Sequence, residues 1–103
     1  DEATFHARFR GTPVKRTGRD RLLRNALIAT GNSGDITLLP LVIRRLDDDA
    51  AIVRAMAVWA MARLAPAEQA DREKARRAGR EHDPVVREEW ARLASHQQTG
   101  AMP

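Results

Sequence analysis

The chain consists of segments whose apolar residues recur every three or four positions, joined by short polar links. The clearest segment is 37–46, where leucine, valine and isoleucine occupy the i, i+3, i+4 and i+7 positions of one helical face. Proline, acidic and basic residues in helix-start and helix-end positions mark further segments. The pattern predicts five helices, at residues 19–30, 37–46, 51–64, 67–80 and 84–94. The sequence therefore predicts an all-α protein.

A hydrophobic residue followed by arginine occurs three times, as Leu23-Arg24, Val53-Arg54 and Val86-Arg87. Each pair follows an aspartate by three or four residues, and the arginines are 30 and 33 residues apart. Such spacing is typical of stacked helical hairpins. We predict a short HEAT-like α-solenoid of about two and a half helical hairpins. In it, the repeated aspartates and arginines would form a ladder of hydrogen bonds between neighbouring turns, because half-buried arginines are retained when paired.

The helix at 51–64 is apolar nearly all round, since Arg54 and Arg63 are its only charged residues. We expect it to lie between the other helices, with Trp59 as a core anchor. Alanine is almost the only apolar residue type in the helix at 67–80, so we expect this helix to pack least firmly against the rest of the protein. The chain then divides into a basic N-terminal helix and loop (1–18), helical repeats (19–94) and a disordered tail (95–103).

The positive charge is concentrated at one end of the chain. The formal net charge is +4, and residues 1–24 alone hold seven basic and three acidic side chains. A localised basic patch is what binding to a polyanion requires, although a solvated basic end is the simpler alternative. A loop at 10–19 and the arc of the first helix opposite Leu22, Leu23, Ala26 and Leu27 would present the patch. The candidate residues for binding such a polyanion are Lys15, Arg16, Arg19, Arg21, Arg24 and Asn25, of which Arg24 could instead belong to the ladder.

Several kinds of chemistry are excluded or disfavoured by the composition. The chain contains no cysteine, which excludes disulfides, a thiolate nucleophile and cysteine-bound metal. Its three histidines have no metal-ligand spacing, and Asp47, Asp48 and Asp49 are typical of a capping turn. The nearly apolar stretch at 50–62 is too short to span a membrane. No catalytic or metal site is predicted. Because the chain begins without methionine or a signal pattern, we expect a piece of a longer protein.

Two stretches carry a resemblance to a known family. Residues 9–16 have the sequence FRGTPVKR, and residues 22–35 have the sequence LLRNALIATGNSGD. Together with Val53-Arg54 and Trp59-Ala60, they resemble the C-terminal part of epoxyqueuosine reductases. The resemblance spans about residues 5–64 and is most specific between Arg24 and Asn32.

The resemblance implies a cytoplasmic enzyme that reduces epoxyqueuosine to queuosine at the wobble position of tRNA, using cobalamin and two four-iron clusters. The catalytic and cobalamin-binding region and the cluster cysteines would precede Asp1, so no cofactor is expected in this chain. Its expected partners are a tRNA anticodon stem-loop and the upstream catalytic and ferredoxin-like domains, with no membrane. Two alternatives stay open: a HEAT-like protein-interaction module with no nucleic-acid role, and a stabilising cap for a catalytic domain.

Overall fold

The all-α prediction is confirmed by the computed structural model, which describes the backbone of residues 13–101 and the side chains of residues 16–93. No strand occurs among these residues. The five helices are α1 (Pro13–Ser33), α2 (Leu39–Arg45), α3 (Ala51–Leu64), α4 (Ala67–Arg77) and α5 (Pro84–Ala101). Single turns of 3-10 helix, Ile36–Leu38 and Ala78–Arg80, precede α2 and follow α4.

Helix α3 lies at the centre of the molecule, as its apolar circumference predicts. It packs against α1, α2 and α5, and seven of its fourteen residues are buried. Val53, Ala57, Ala60 and Met61 have no exposed surface. Burying a valine or methionine side chain this completely contributes about 2 kcal/mol of apolar transfer free energy. The core therefore forms around α3.

Helices α1 and α3 run in the same direction. Arg16 in the first turn of α1 binds Asp49, just before α3, whereas Gly31 near the end of α1 lies against Trp59 and Ala60 near the end of α3. Helix α2 connects α1 to α3 along the chain, so that both of these helices can run in the same direction. An ion pair between Arg54 and Glu81 places the beginning of α5 beside the beginning of α3. The long helices α1, α3 and α5 thus lie in a row.

Both ends of the described chain are more helical than predicted. Helix α1 begins at Pro13, so the predicted loop at 10–19 is wrong from residue 13 onward, and the predicted division after residue 18 falls inside α1. Proline is well suited to a first helical position because its missing N–H would have no partner there. Helix α5 continues to Ala101, so the tail predicted as disordered is helical at residues 95–101. Residues 1–12, 102 and 103 lie outside the described residues.

The face of α1 that meets the core differs from the predicted arc. Leu23, Leu27 and Gly31 face the core, but Leu22 is 70% exposed and Ala26 is exposed. Gly31 explains the rotation, since a Cβ there would come within 2.6 Å of the Trp59 ring. Only glycine lets the two helices approach so closely. Trp59 is half-buried in this contact, and the fully buried tryptophan is Trp90, which the pattern did not identify.

Candidate nucleic-acid interface

Arg21 and Asn25 lie on the exposed face of α1, as predicted. They are one helical turn apart and about 40° from each other around the helix axis. Asn32 is also exposed and lies within the same arc. Arg24, which we expected on this face, is half-buried: its Nη2 donates to Asn25 Oδ1 over 3.3 Å, while its buried Nε has no hydrogen-bond partner. The side chain of Lys15 is not among those that the structure describes.

Arg16 and Arg19 contact protein carboxylates. These belong to the acidic turn, Asp47, Asp48 and Asp49, which links α2 to α3. Arg19 Nη2 lies 2.6 Å from Asp48 Oδ1, and Arg16 binds Asp49. Both arginines also contact Asp20. The structure thus separates the predicted patch into ion-paired and unpaired residues, and the positive charge of Arg16 and Arg19 is compensated locally.

The acidic turn is held in its ionised form. Burial acts to raise the pKa of Asp48, but hydrogen bonds from Arg19 and the backbone N–H of Ala50, with the charges of Arg19 and Arg45, outweigh it and lower the pKa below its ordinary value. A hydrogen bond from Arg16 lowers the pKa of Asp49. One from Arg77 lowers the pKa of Asp47. Asp48 and Asp49 therefore stabilise contacts with α1, and Asp47 stabilises a contact with α4, while all three stay charged.

Of the three arginines in the hydrophobic-arginine pairs, only Arg54 binds a carboxylate among the described residues, and its partner is not the predicted aspartate. Arg54 binds both carboxylate oxygens of Glu81, at 2.9 and 3.0 Å, and donates to the Asp48 carbonyl oxygen. Asp83 instead caps α5 by accepting from the backbone N–H groups of Val85 and Val86. Arg87 is exposed and has no side-chain partner among the described residues, so the prediction is wrong for it. We use "ion-pair ladder" below for Arg16, Arg19, Arg54 and Arg77 with the acidic turn and Glu81.

Another arginine contact was not identified from the sequence. Arg63 Nε donates to the Gly31 carbonyl oxygen over 3.1 Å, and its guanidinium carbon lies 5.1 Å from the Trp59 ring centroid. The signal was present, because Trp59 and Arg63 are four residues apart on one helix and so share a face. What the sequence did not show is that the end of α1 lies beside them.

The comparisons with known proteins identify one related enzyme. The chain is 41% identical over 63 residues, or 60% of its length, to a curated protein named epoxyqueuosine reductase from Xanthomonas campestris pv. campestris. The match covers 18% of that relative, so this chain corresponds to a small part of it. No protein-family model matches the chain, and no solved structure does. The chain is therefore related to this enzyme over the matched part.

The iron–sulfur clusters implied by the resemblance do not fit the residues of this chain. Iron–sulfur clusters are held by cysteine thiolates, and the sequence contains no cysteine. Among the residues that the structure describes, no group of three or more His, Asp and Glu side chains could hold a metal ion. We therefore derive no step through an iron–sulfur cluster. Between residues 13 and 101, no helix combines the length and apolar character needed to cross a bilayer.

Proposed function

We propose that this chain is a tRNA-binding, HEAT-like module of an epoxyqueuosine reductase. The complete enzyme would reduce epoxyqueuosine to queuosine in tRNA, in the cytoplasm. The similarity to the Xanthomonas enzyme carries this proposal. By the same resemblance, the iron–sulfur clusters and cobalamin belong to upstream catalytic and ferredoxin-like domains. The role of this chain is to hold the anticodon stem-loop.

The helix arrangement supports the HEAT-like part of the proposal. The contacts of Arg16 with Asp49 and of Arg63 with Gly31 join residues 33 and 32 positions apart. The contact of Arg54 with Glu81 spans 27 positions. A recurring offset of about 30 residues between neighbours in space is what stacked helical repeats produce.

The unpaired polar face of α1 supports the RNA-binding part. Arg21 has no ion pair among the described side chains and projects beside Asn25, so both are free to contact phosphate oxygens. Lys15 and Arg24 extend this face in the proposal. Arg16 and Arg19 contribute by anchoring α1 to the acidic turn.

The test is titration of the chain with an anticodon stem-loop RNA at several salt concentrations. We expect affinity to fall steeply with salt, because each neutralised phosphate releases counterions. Arg21→Gln should weaken binding and reduce the slope of log affinity against log salt by about one. Arg92→Gln is the matched control: it removes the same charge from an exposed arginine that is paired with Glu88 and Glu89. Salt-independent binding, or equal effects of the two variants, would contradict the proposal.

A protein-interaction role without RNA is the alternative, and one observation favours it. Leu22 on α1 and Val85 on α5 are 70% and 59% exposed, and large apolar side chains at the surface are common in protein interfaces. This role predicts no response to the stem-loop and no effect of Arg21→Gln. The same titration therefore separates the two functions.

A further inference from the structure

Arg63 combines a fixed position with an unpaired charge, and no other exposed arginine among the described residues has both. Its guanidinium is fixed in position by the Gly31 carbonyl and the Trp59 ring. Yet it has no ion pair among the described side chains, and the residue is exposed. The arginines of the ion-pair ladder are equally well fixed, but carboxylates neutralise them. Arg63 is thus an ordered cation whose charge is uncompensated.

The contacts of Arg63 determine which of its atoms are available. Nε is occupied by the Gly31 carbonyl oxygen, and the guanidinium carbon lies over the Trp59 ring. The two Nη groups have no protein partner among the described residues. Two N–H groups in a fixed fork match the spacing of two phosphate oxygens. Because the contacts to Gly31 and Trp59 already hold the side chain, little rotamer entropy would be lost on binding.

Arg63 also lies at the C-terminal end of α1, where the polar face of that helix ends. Asn32 directly follows Gly31, and it shares the exposed arc of Arg21 and Asn25. From Arg21 to Asn32 the helix rises about 16 Å, a length over which one nucleic-acid strand carries roughly five phosphates. We define Arg21, Asn25, Asn32 and Arg63 as the outer line.

We propose that Arg63 binds a backbone phosphate of the RNA through its two Nη groups, so that the binding surface extends from α1 onto α3. The inference rests on the proposed function, since the same RNA would follow the outer line. Trp59 and Gly31 act as positioning groups that keep the guanidinium in place. They do not contact the RNA themselves.

The experiment compares Arg63→Gln with Arg72→Gln by titration with the anticodon stem-loop at several salt concentrations. Both variants remove one exposed positive charge. Arg72 is the control because it lies on α4, outside the outer line, and has no ion pair among the described side chains. We expect Arg63→Gln to weaken binding about threefold to tenfold and to reduce the salt slope by about one, with a smaller effect of Arg72→Gln. Equal effects of the two variants would overturn the proposal. So would a loss of affinity in Arg63→Gln with an unchanged salt slope.

A second measurement does not depend on variants. In an NMR titration of the unmodified chain, RNA should shift the Nε–H signal of Arg63 and the indole N–H signal of Trp59. Binding that leaves both signals unchanged would show that the RNA does not reach α3, and the proposal for Arg63 would fail while RNA binding stands. Absence of any binding by the unmodified chain would instead overturn both proposals.

Discussion

Two arginine-containing regions of this molecule differ in what their charges contact. In the ion-pair ladder, arginines on α1, α3 and α4 bind carboxylates from the links between helices. In the outer line, Arg21 and Arg63 have no carboxylate partner among the described residues. The difference shows that the number of arginines in a segment does not locate a binding surface. Pairing in the folded chain decides which charges are left for a ligand.

The two regions also contribute differently to stability. The ladder arginines are half-buried and connect separate helices, so removing one leaves an uncompensated carboxylate. Outer-line residues are exposed, and their removal should cost the fold little. The exception is the Gly31 contact beneath Arg63, where packing fixes the geometry of the whole end of α1. Four predictions test this contrast.

The largest effect is expected for Gly31→Ala. The added methyl group would lie 2.6 Å from the Trp59 ring and 3.2 Å from the Ala60 Cα atom, so α1 or the ring must move. We expect a loss of about 2 kcal/mol of unfolding free energy in urea denaturation. Gly18→Ala is the control, because nothing lies within 4 Å of its added methyl group. That change should raise stability by about 0.5–1 kcal/mol through helix propensity, and equal behaviour of the two variants would contradict the packing argument.

A slightly smaller effect is expected for Arg54→Ala. The variant leaves Glu81, whose side chain is 10% exposed, without its bidentate partner, and it frees the Asp48 carbonyl oxygen. Breaking such a half-buried pair should lower the unfolding free energy by about 1–2 kcal/mol. Arg87→Ala removes the arginine of the third hydrophobic-arginine pair, which is exposed and unpaired among the described residues. A loss from Arg87→Ala as large as that from Arg54→Ala would show that the ladder does not follow these contacts.

Acid should weaken the ladder in a defined range. Burial acts to raise the pKa of Glu81, but the hydrogen bond from Arg54 and further favourable contacts lower it below its ordinary 4.5, and the pKa of Asp48 lies below 3.8. A carboxyl whose folded pKa is depressed contributes stability above its unfolded pKa and loses it as pH falls towards the folded value. Unfolding free energy should therefore fall as pH drops below about 4.5, with no contribution from these groups to any change at neutral pH. Asp48→Asn should reduce this acid dependence; an unchanged profile would contradict the assignment.

The smallest effect is expected for Arg92→Ala. Arg92 pairs with Glu88 and Glu89 on α5, but its side chain is 66% exposed. Water and salt screen such pairs, and we expect a change of no more than about 0.5 kcal/mol in urea denaturation. A loss comparable to that of Arg54→Ala would mean that exposure does not separate the two kinds of pair.

Much of the fold could be predicted because helix formation depends on local spacing. The predicted helix at 51–64 matches α3, and Pro84 begins α5 as expected. The start of α1 and the end of α5 could not be predicted from composition alone. Polar segments that contain glycine become helical when they extend an adjoining helix. The face of α1 was also mispredicted, because its rotation depends on the approach of Gly31 to Trp59, a contact between distant residues.

The sequence by itself determined the all-α class, the central position of α3 and the exposure of Arg21 and Asn25, because these follow from apolar periodicity along single helices. Only the tertiary structure decided that Arg16 and Arg19 are neutralised by the acidic turn and that Arg63 is not. Ion pairs at sequence separations of about 30 residues leave no local pattern, because the partners come together only when the helices stack. The charge of the N-terminal segment was visible in the sequence, but the compensation of Arg16 and Arg19 was a property of the fold.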